Sequence, residues 1–359
     1  MSNQNQTDAS SRPALARALR GESTSRVPLW YMRQAGRYLP EYHEVRNRFS
    51  FMDLCRDVES AVRVSLQPHE RFSLDGVIMF SDILTPLSGA GIELHFEEKR
   101  GPVIDTLITE MEHIDIMADF QPERDTAFVA EILRTLRATL EERAAKDGVE
   151  RPGLLGFAGA PFTLTSYLIE GGTSRHFDKT KAAIFGRSDF YHALANRLTE
   201  ITINYLKMQA AAGADVVQIF DSWGGVLSPA DYREFAMPYT ARIIKALRES
   251  TDIPVILFVG NSAHLVPEMV EQEPTALGMD WRVTAEQIER LVPGHMAVQG
   301  NLDPLTLYGS PDRVRAATRR VLESFASRPG YVFNLGHGIN PKSPIECVQA
   351  MIDTVRDFK

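Results

Sequence analysis

What most constrains the fold is a set of eight short, nearly continuous apolar runs separated by amphipathic stretches. They fall at Val27–Trp30, Val77–Ser81, Leu154–Ala158, Val216–Phe220, Pro254–Phe258, Ala276–Met279, Ala297–Gly300 and Tyr331–Asn334. Apolar residues at consecutive positions, rather than alternate ones, mark strands covered on both faces, as in a parallel sheet wrapped by helices. The stretches Ala127–Ala145, Phe190–Ala212, Pro229–Ser250, Pro311–Phe325 and Pro344–Phe358 have helical spacing, and several open on Ser-Pro, a helix-start signal. Eight strand–helix units predict an α/β fold: a single-domain (β/α)8 TIM barrel with extended loops at the C-terminal face of the strands. The chain has 359 residues, more than the roughly 250 of a typical barrel. A flexible tail over residues 1–12, a hairpin-like insertion at Gly89–Val103 and long loops account for the excess, leaving residues 13–359 to the barrel. A doubly wound open sheet would produce the same alternation. Its dinucleotide site has no support, because Gly171-Gly172, Gly224-Gly225 and Gly336-x-Gly338 never form G-x-G-x-x-G between a strand and a helix.

Charge and composition narrow the ligand. A net charge of −8 opposes nucleic-acid binding, which wants a basic surface. Yet all but eight of the 39 basic residues are arginines, and Arg26, Arg33, Arg37, Arg46 and Arg48 crowd a segment without lysine. Arginine presents a planar fork that grips carboxylates two bonds at a time, so the cluster points to a small polyanionic ligand. Met1 to Arg12 lacks the basic start and apolar run of a secretion signal, which predicts a cytoplasmic protein. No stretch approaches the roughly 20 unbroken apolar residues of a membrane-spanning helix. Cys55 and Cys347 stand far apart in no C-x-x-C arrangement and read as ordinary helix residues.

In a barrel the active site is built from loops at the C-terminal ends of the strands, so polar residues directly after each run are the ones to inspect. Arg33 and Arg37 follow the first run, Ser81-Asp82 the second, Asp221-Ser222-Trp223 the fourth, Asp280 the sixth, Asn301 the seventh and His337 the eighth. Any one of these is commonly a helix cap or turn residue; their recurrence at one end argues for a site.

The residues from Pro28 to Tyr42, containing Arg33-Gln34-Ala35-Gly36-Arg37, resemble the first signature of the uroporphyrinogen decarboxylase family. Gly156-Phe157-Ala158-Gly159-Ala160-Pro161-Phe162-Thr163-Leu164, leading to Tyr167 and Glu170-Gly171-Gly172, resembles the second. Phe80-Ser81-Asp82-Ile83-Leu84, Phe220-Asp221-Ser222 and Leu335-Gly336-His337-Gly338 are similar to its other pocket segments, so the likeness runs from about Arg26 to the C-terminus. One departure is Asp221-Ser222-Trp223, where the family also has Glu-Ser-His. The resemblance implies a TIM barrel that decarboxylates the four acetate side chains of uroporphyrinogen III without a cofactor or metal, acting as a homodimer. It implies a substrate site of Arg33, Gln34, Ala35, Gly36, Arg37, Arg46, Asp82, Phe157, Tyr167, Phe220, Ser222 and His337, with Asp82, Arg33, Arg37, Tyr167 and His337 as the catalytic set. In that scheme Asp82 opposes the positive charge of a protonated pyrrole, and Arg33 or Arg37 holds carboxylates and relays the proton through water or substrate. Tyr167 and Ser222 give hydrogen bonds to carboxylate, and His337 acts as a neutral donor or as a cation near pH 7.

Two other readings are open to the sequence. A corrinoid-linked methyltransferase shares the superfamily but needs a zinc site built from His and Cys, and Leu257-Phe258-Val259-Gly260 supplies neither. A noncatalytic tetrapyrrole-binding protein would use the arginines alone, with no need of Asp82 and Tyr167.

Overall fold

The apolar runs become parallel strands taken in the order of the sequence. The structure, a computed structural model, describes residues 12–97 and 100–358, so nearly all of the expected tail over residues 1–12 lies outside the described residues. The strands are β1 (Gly76–Ile78), β2 (Leu94–Glu97), β3 (Gly101–Ile104), β4 (Gly153–Gly159), β5 (Val216–Asp221), β6 (Val255–Val259), β7 (Ala276–Gly278), β8 (Ala297–Leu302) and β9 (Tyr331–Leu335). Seven of them form one sheet in the order β1-β4-β5-β6-β7-β8-β9, every pair parallel. β2 and β3 pair antiparallel, with Leu94 opposite Ile104 and Glu97 opposite Gly101, which is the hairpin expected in the insertion. Helices cover the outer face, among them Ala127–Asp147, Ser188–Ala211, Pro311–Ser324 and Ile345–Arg356. Cys55 and Cys347 are buried free thiols in two of the helices.

Two expectations are modified. The stretch Pro229–Ser250 is two helices, Pro229–Phe235 and Met237–Ser250, broken at Ala236. Pro238 cannot donate an amide back to the preceding turn, so it sits in the first turn of a new helix instead of continuing the old one. The first run, Val27–Trp30, is not a full strand but a single parallel bridge from Leu29 to Phe333. Pro28 is the reason: it lacks the N–H a ladder needs and contributes only its carbonyl, which accepts from the Phe333 amide at 2.9 Å.

The short run still closes the wall between β9 and β1. Asp75 donates its amide to the Leu29 carbonyl at 2.9 Å, and its carboxylate accepts the Leu29 amide at 2.8 Å, standing where a strand carbonyl would. Arg26 holds that carboxylate through both terminal nitrogens at 2.6 Å. The device recurs between β4 and β5. Asp215 donates its amide to Leu154 and accepts the Leu154 amide, each at 2.8 Å, while Arg137 and Arg151 grip its carboxylate.

Inside the barrel a chain of amides crosses the core. The Trp30 indole donates to Gln299 at 2.8 Å, Gln299 donates to Gln218 at 3.0 Å, and Gln218 reaches the Met32 sulfur at 3.6 Å. These buried groups satisfy one another, which ties opposite strands together across the barrel interior in addition to their backbone ladders.

Removing Asp215 strands Arg151, whose side chain is only 10% exposed, and deprives the Leu154 amide of its acceptor. Asp215→Ala is expected to cost about 3 kcal/mol in urea unfolding. Asp312→Ala, which breaks only a surface pair with Arg315, is expected to cost less than about 1 kcal/mol in the same measurement.

Candidate active site

The seam fixes where the first arginine loop emerges. Met32 leaves the wall anchored at both ends: its amide donates to the Asn334 side chain at 3.1 Å and its carbonyl accepts from Ile339 at 2.9 Å. Gln34 is fully buried beneath the loop, donating to the Gly76 carbonyl at 2.9 Å and accepting from the Tyr31 amide at 3.3 Å. Its side chain therefore shapes the loop from below. The Tyr38 hydroxyl caps the Gln34 carbonyl at 2.8 Å and pairs with the Tyr31 hydroxyl at 2.8 Å. Between these anchors Arg33 is held at φ +63°, a left-handed conformation that a long side chain adopts only under constraint. Ala35 and Gly36 complete the turn to an exposed Arg37.

Arg33, itself exposed, lies between the loops that follow β1 and β9. A Cβ on Gly338 would lie 2.5 Å from the Arg33 Cδ, so the backbone after His337 is glycine because the arginine stem packs on it. On the other side of His337, a Cβ on Gly336 would lie 2.4 Å from the Trp281 amide nitrogen. The Gly-His-Gly sequence thus lets Arg33 and Trp281 close in on the histidine from two sides.

The charges of this group act on one another. Burial pushes the Asp82 carboxyl above its ordinary range, opposed by the Leu84 amide, which donates to one oxygen at 2.9 Å, and by the charge of Arg33. Burial also raises the Tyr167 hydroxyl, with the Asp82 charge adding to the rise and Arg33 opposing it, so this phenol is neutral. His337 moves the other way: burial and then the Arg33 cation lower it to about 4, so it is a neutral imidazole near pH 7. Arg46 and Arg37 lie near the Tyr42 hydroxyl and oppose the rise that burial imposes on it. Arg46 also donates to the Phe49 carbonyl.

Aromatic side chains line the mouth in sequence. Phe157 meets Phe220 at 5.7 Å between centroids, Phe220 meets Phe258 at 6.0 Å, Phe258 meets His337 at 6.0 Å and His337 meets Trp281 at 6.4 Å. Tyr167 stacks on Trp223 at 4.1 Å. The structure thus brings Arg33, Asp82, Tyr167 and His337 within reach of one another's charges, joins Phe157 and Phe220 to His337 through Phe258, and sets Arg37 and Arg46 beside Tyr42. Ser222 follows β5 in the neighbouring loop, where its carbonyl oxygen packs on Gly260: a Cβ there would lie 2.4 Å from it.

Three of the polar residues singled out after the strands turn inward as braces. Asp221 is fully buried, accepts from the Thr163 hydroxyl at 2.7 Å and is pushed by burial up to about 7. Asp280 is also fully buried and accepts from the Asn261 amide at 3.1 Å. Asn301 donates to the Asp280 and Val283 carbonyls at 3.1 and 2.7 Å. The sequence reading passed over Trp281 and Phe258 as walls and Trp223 as the partner of Tyr167. Each is an aromatic at or just beyond a strand's C-terminal end, the signal by which it was findable.

Comparison with known proteins decides the family. The uroporphyrinogen decarboxylase (URO-D) family model matches residues 10–358. This chain belongs to the uroporphyrinogen decarboxylase family. It is 42% identical over 348 residues to the uroporphyrinogen decarboxylase of Hydrogenovibrio crunogenus, covering 95% of this chain and 96% of that one. It is 43% identical over 345 residues to that of Thioalkalivibrio sulfidiphilus, with 95% and 96% covered. Among solved structures a methyltransferase from Methanosarcina mazei superposes with a TM-score of 0.75 at 20% identity, covering 96% of this chain and 97% of that one. At that identity the match speaks for the barrel fold alone. Among the described residues no three His, Cys, Asp or Glu side chains are grouped as metal ligands, and no helix is long and apolar enough to cross a membrane.

Arg33 lowers both Asp82 and His337, so removing its charge should move both upward. In Arg33→Gln, NMR titration is expected to show His337, still lowered by burial, protonating at higher pH than in the unsubstituted protein, and Asp82 likewise. A His337 midpoint that stays put would break the proposed contact between the two.

Proposed function

We propose that this chain decarboxylates uroporphyrinogen III, converting its four acetate side chains to methyl groups and releasing coproporphyrinogen III. The observation that carries the reading, within a family of this name, is the pairing of a half-buried carboxylate with unengaged arginines. Asp82 has one oxygen on the Leu84 amide and the other open to the mouth. The guanidinium groups of Arg33 and Arg37 make no hydrogen bond or ion pair among the described residues, whereas Arg26, Arg71 and Arg151 are held by carboxylates of the protein. A substrate with eight carboxylates supplies the missing partners.

Each charge-assisted hydrogen bond in a partly dry pocket contributes roughly 1.5–3 kcal/mol, so a few arginine–carboxylate contacts suffice for micromolar binding. The pyrrole itself accepts the electron pair. A proton added to the ring carbon beside the acetate gives an iminium-like cation, and the C–C bond to the carboxylate then breaks into the ring, releasing CO2. A second proton lands on the exposed methylene and the first leaves the ring, so one proton replaces each CO2. Asp82 accepts pyrrole N–H hydrogen bonds and opposes the ring cation, an interaction stronger in the transition state than in the ground state. Arg33 and Arg37 hold carboxylates and pass the proton through water or substrate, because a guanidinium is itself a poor acid. Tyr167 and Ser222 donate to carboxylates, and His337 serves as a neutral donor. Phe157 and Phe220 exclude water from the ring face, while Gln34, Ala35 and Gly36 set the path of the arginine loop and Arg46 extends the cationic side. The protein works in the cytoplasm as a homodimer, and its net charge of −8 favours solubility.

Asp82→Asn keeps the shape and removes the charge. It should lower kcat by at least about a hundredfold in an anaerobic assay that counts product carboxyl groups by chromatography, and full activity would refute the electrostatic role. Arg37→Lys keeps the charge and removes the fork. A fall of roughly tenfold in kcat/KM is expected, while an unchanged value would show that two-bond gripping is unimportant.

A further inference from the structure

One more arginine stands at the mouth, and its geometry is that of a prepared carboxylate clamp. Arg282 follows β7 by a few residues. Its side chain is 48% exposed, while the Asp280 carboxylate beneath it is 1% exposed. Asp280 accepts from the Asn261 amide at 3.1 Å, from the Arg282 amide at 2.9 Å and from Arg282 Nη1 at 3.0 Å to each oxygen. The guanidinium is therefore pinned at its Nη1 corner.

Its face is fixed as well. Cζ lies 3.8 Å from the centroid of the Trp281 indole, and the Trp281 ring stands edge-on to His337. A cation stacked on an indole and anchored to a buried carboxylate has lost much of its rotamer freedom before any ligand arrives, so binding through it forfeits little entropy. What remains is the Nε–Nη2 edge, which makes no hydrogen bond among the described residues. That edge is the side-on fork for a carboxylate: elsewhere in this chain Arg71 holds Glu41 through it, at 2.7 and 3.0 Å.

Its position matches the site. The two glycines flanking His337 admit Arg33 on one side and Trp281, carrying Arg282, on the other. The charges of Arg33, Asp280 and Arg282 all reach the His337 imidazole, the two arginines lowering it and Asp280 raising it.

We infer that Arg282 is a substrate-binding residue at the rim of the mouth, gripping one side-chain carboxylate of the tetrapyrrole through its Nε–Nη2 edge. The assignment rests on the decarboxylase reading above. Asp280 partly neutralises the cation, so its share of affinity is smaller than that of Arg33, and its value lies in orienting a large ring whose carboxylates radiate from the edge.

The test separates binding from chemistry. Binding of uroporphyrin, with eight carboxylates, and of coproporphyrin, with four, is followed by porphyrin fluorescence, and turnover of uroporphyrinogen is followed anaerobically. Arg282→Gln should weaken uroporphyrin binding about tenfold and coproporphyrin binding by a smaller factor, with the kinetic loss on KM rather than kcat. Arg282→Lys should recover only a small part, because an ammonium cannot fork. Equal affinities in the Gln variant and the unsubstituted protein, or full recovery by Lys, would overturn the inference. If the unsubstituted protein binds uroporphyrin but releases no CO2, the decarboxylase reading fails while the binding comparison still judges Arg282. A fall in Tm with unchanged binding would return Arg282 to a purely structural role.

Discussion

The site depends on how the barrel closes. Leu29 is the only bridging residue of its run, and the seam holds because the Asp75 carboxylate replaces a strand carbonyl on one side while Phe333 pairs on the other. Four residues later the chain reaches Arg33. The seam lies between β1 and β9, so the arginine emerges between the loop carrying Asp82 and the loop carrying His337. No other strand position would place one cation beside both. Closure by a side chain, rather than by a longer ladder, leaves the segment after Leu29 free to turn at once into the loop.

That single cation sorts the charges at the mouth. Burial disfavours the charged form of every group in it, which on its own would leave Asp82 protonated more readily and His337 neutral. The Arg33 guanidinium opposes the first tendency and reinforces the second. The same pocket therefore favours one anion and one neutral donor, both in reach of an incoming ring. Apolar walls around a cationic rim are thus parts of one arrangement.

Much of this was legible in the sequence. Seven of the eight runs are strands within three residues of the ends read from them, because strands buried on both faces of a parallel sheet leave short continuous apolar runs, too short for the helices between them. The exception contained its own warning in Pro28. The polar residues after the strands divide by depth, which periodicity does not report. Asp82 and His337 face the opening, while Asp221, Asp280 and Asn301 turn down into the wall and brace loops. The amide chain through Gln218 and Gln299 was illegible for a related reason: a glutamine inside an apolar run reads as an interruption until its partner, some eighty residues away, is placed opposite it. Gln34 lies within the arginine motif and looks like a contact residue, yet its side chain is buried under the loop it shapes.

The braces explain why so exposed a mouth can be so ordered. Asp221 ties the end of β5 to Thr163 at the start of the helix bearing Tyr167, and the same Thr163 hydroxyl accepts the Trp223 amide at 3.2 Å. Trp223 then stacks on Tyr167, so one threonine couples the ring and the phenol it supports. Asp280 does the corresponding work across the barrel, binding the Asn261 amide of the preceding loop and the Arg282 side chain of its own. A buried carboxylate that gathers backbone amides from two loops holds them at a fixed distance, because losing either donor leaves an unsatisfied charge in a dry place. The loops that meet the substrate are thereby as constrained as the strands that carry them, and a cationic rim can be presented to a polyanion already oriented.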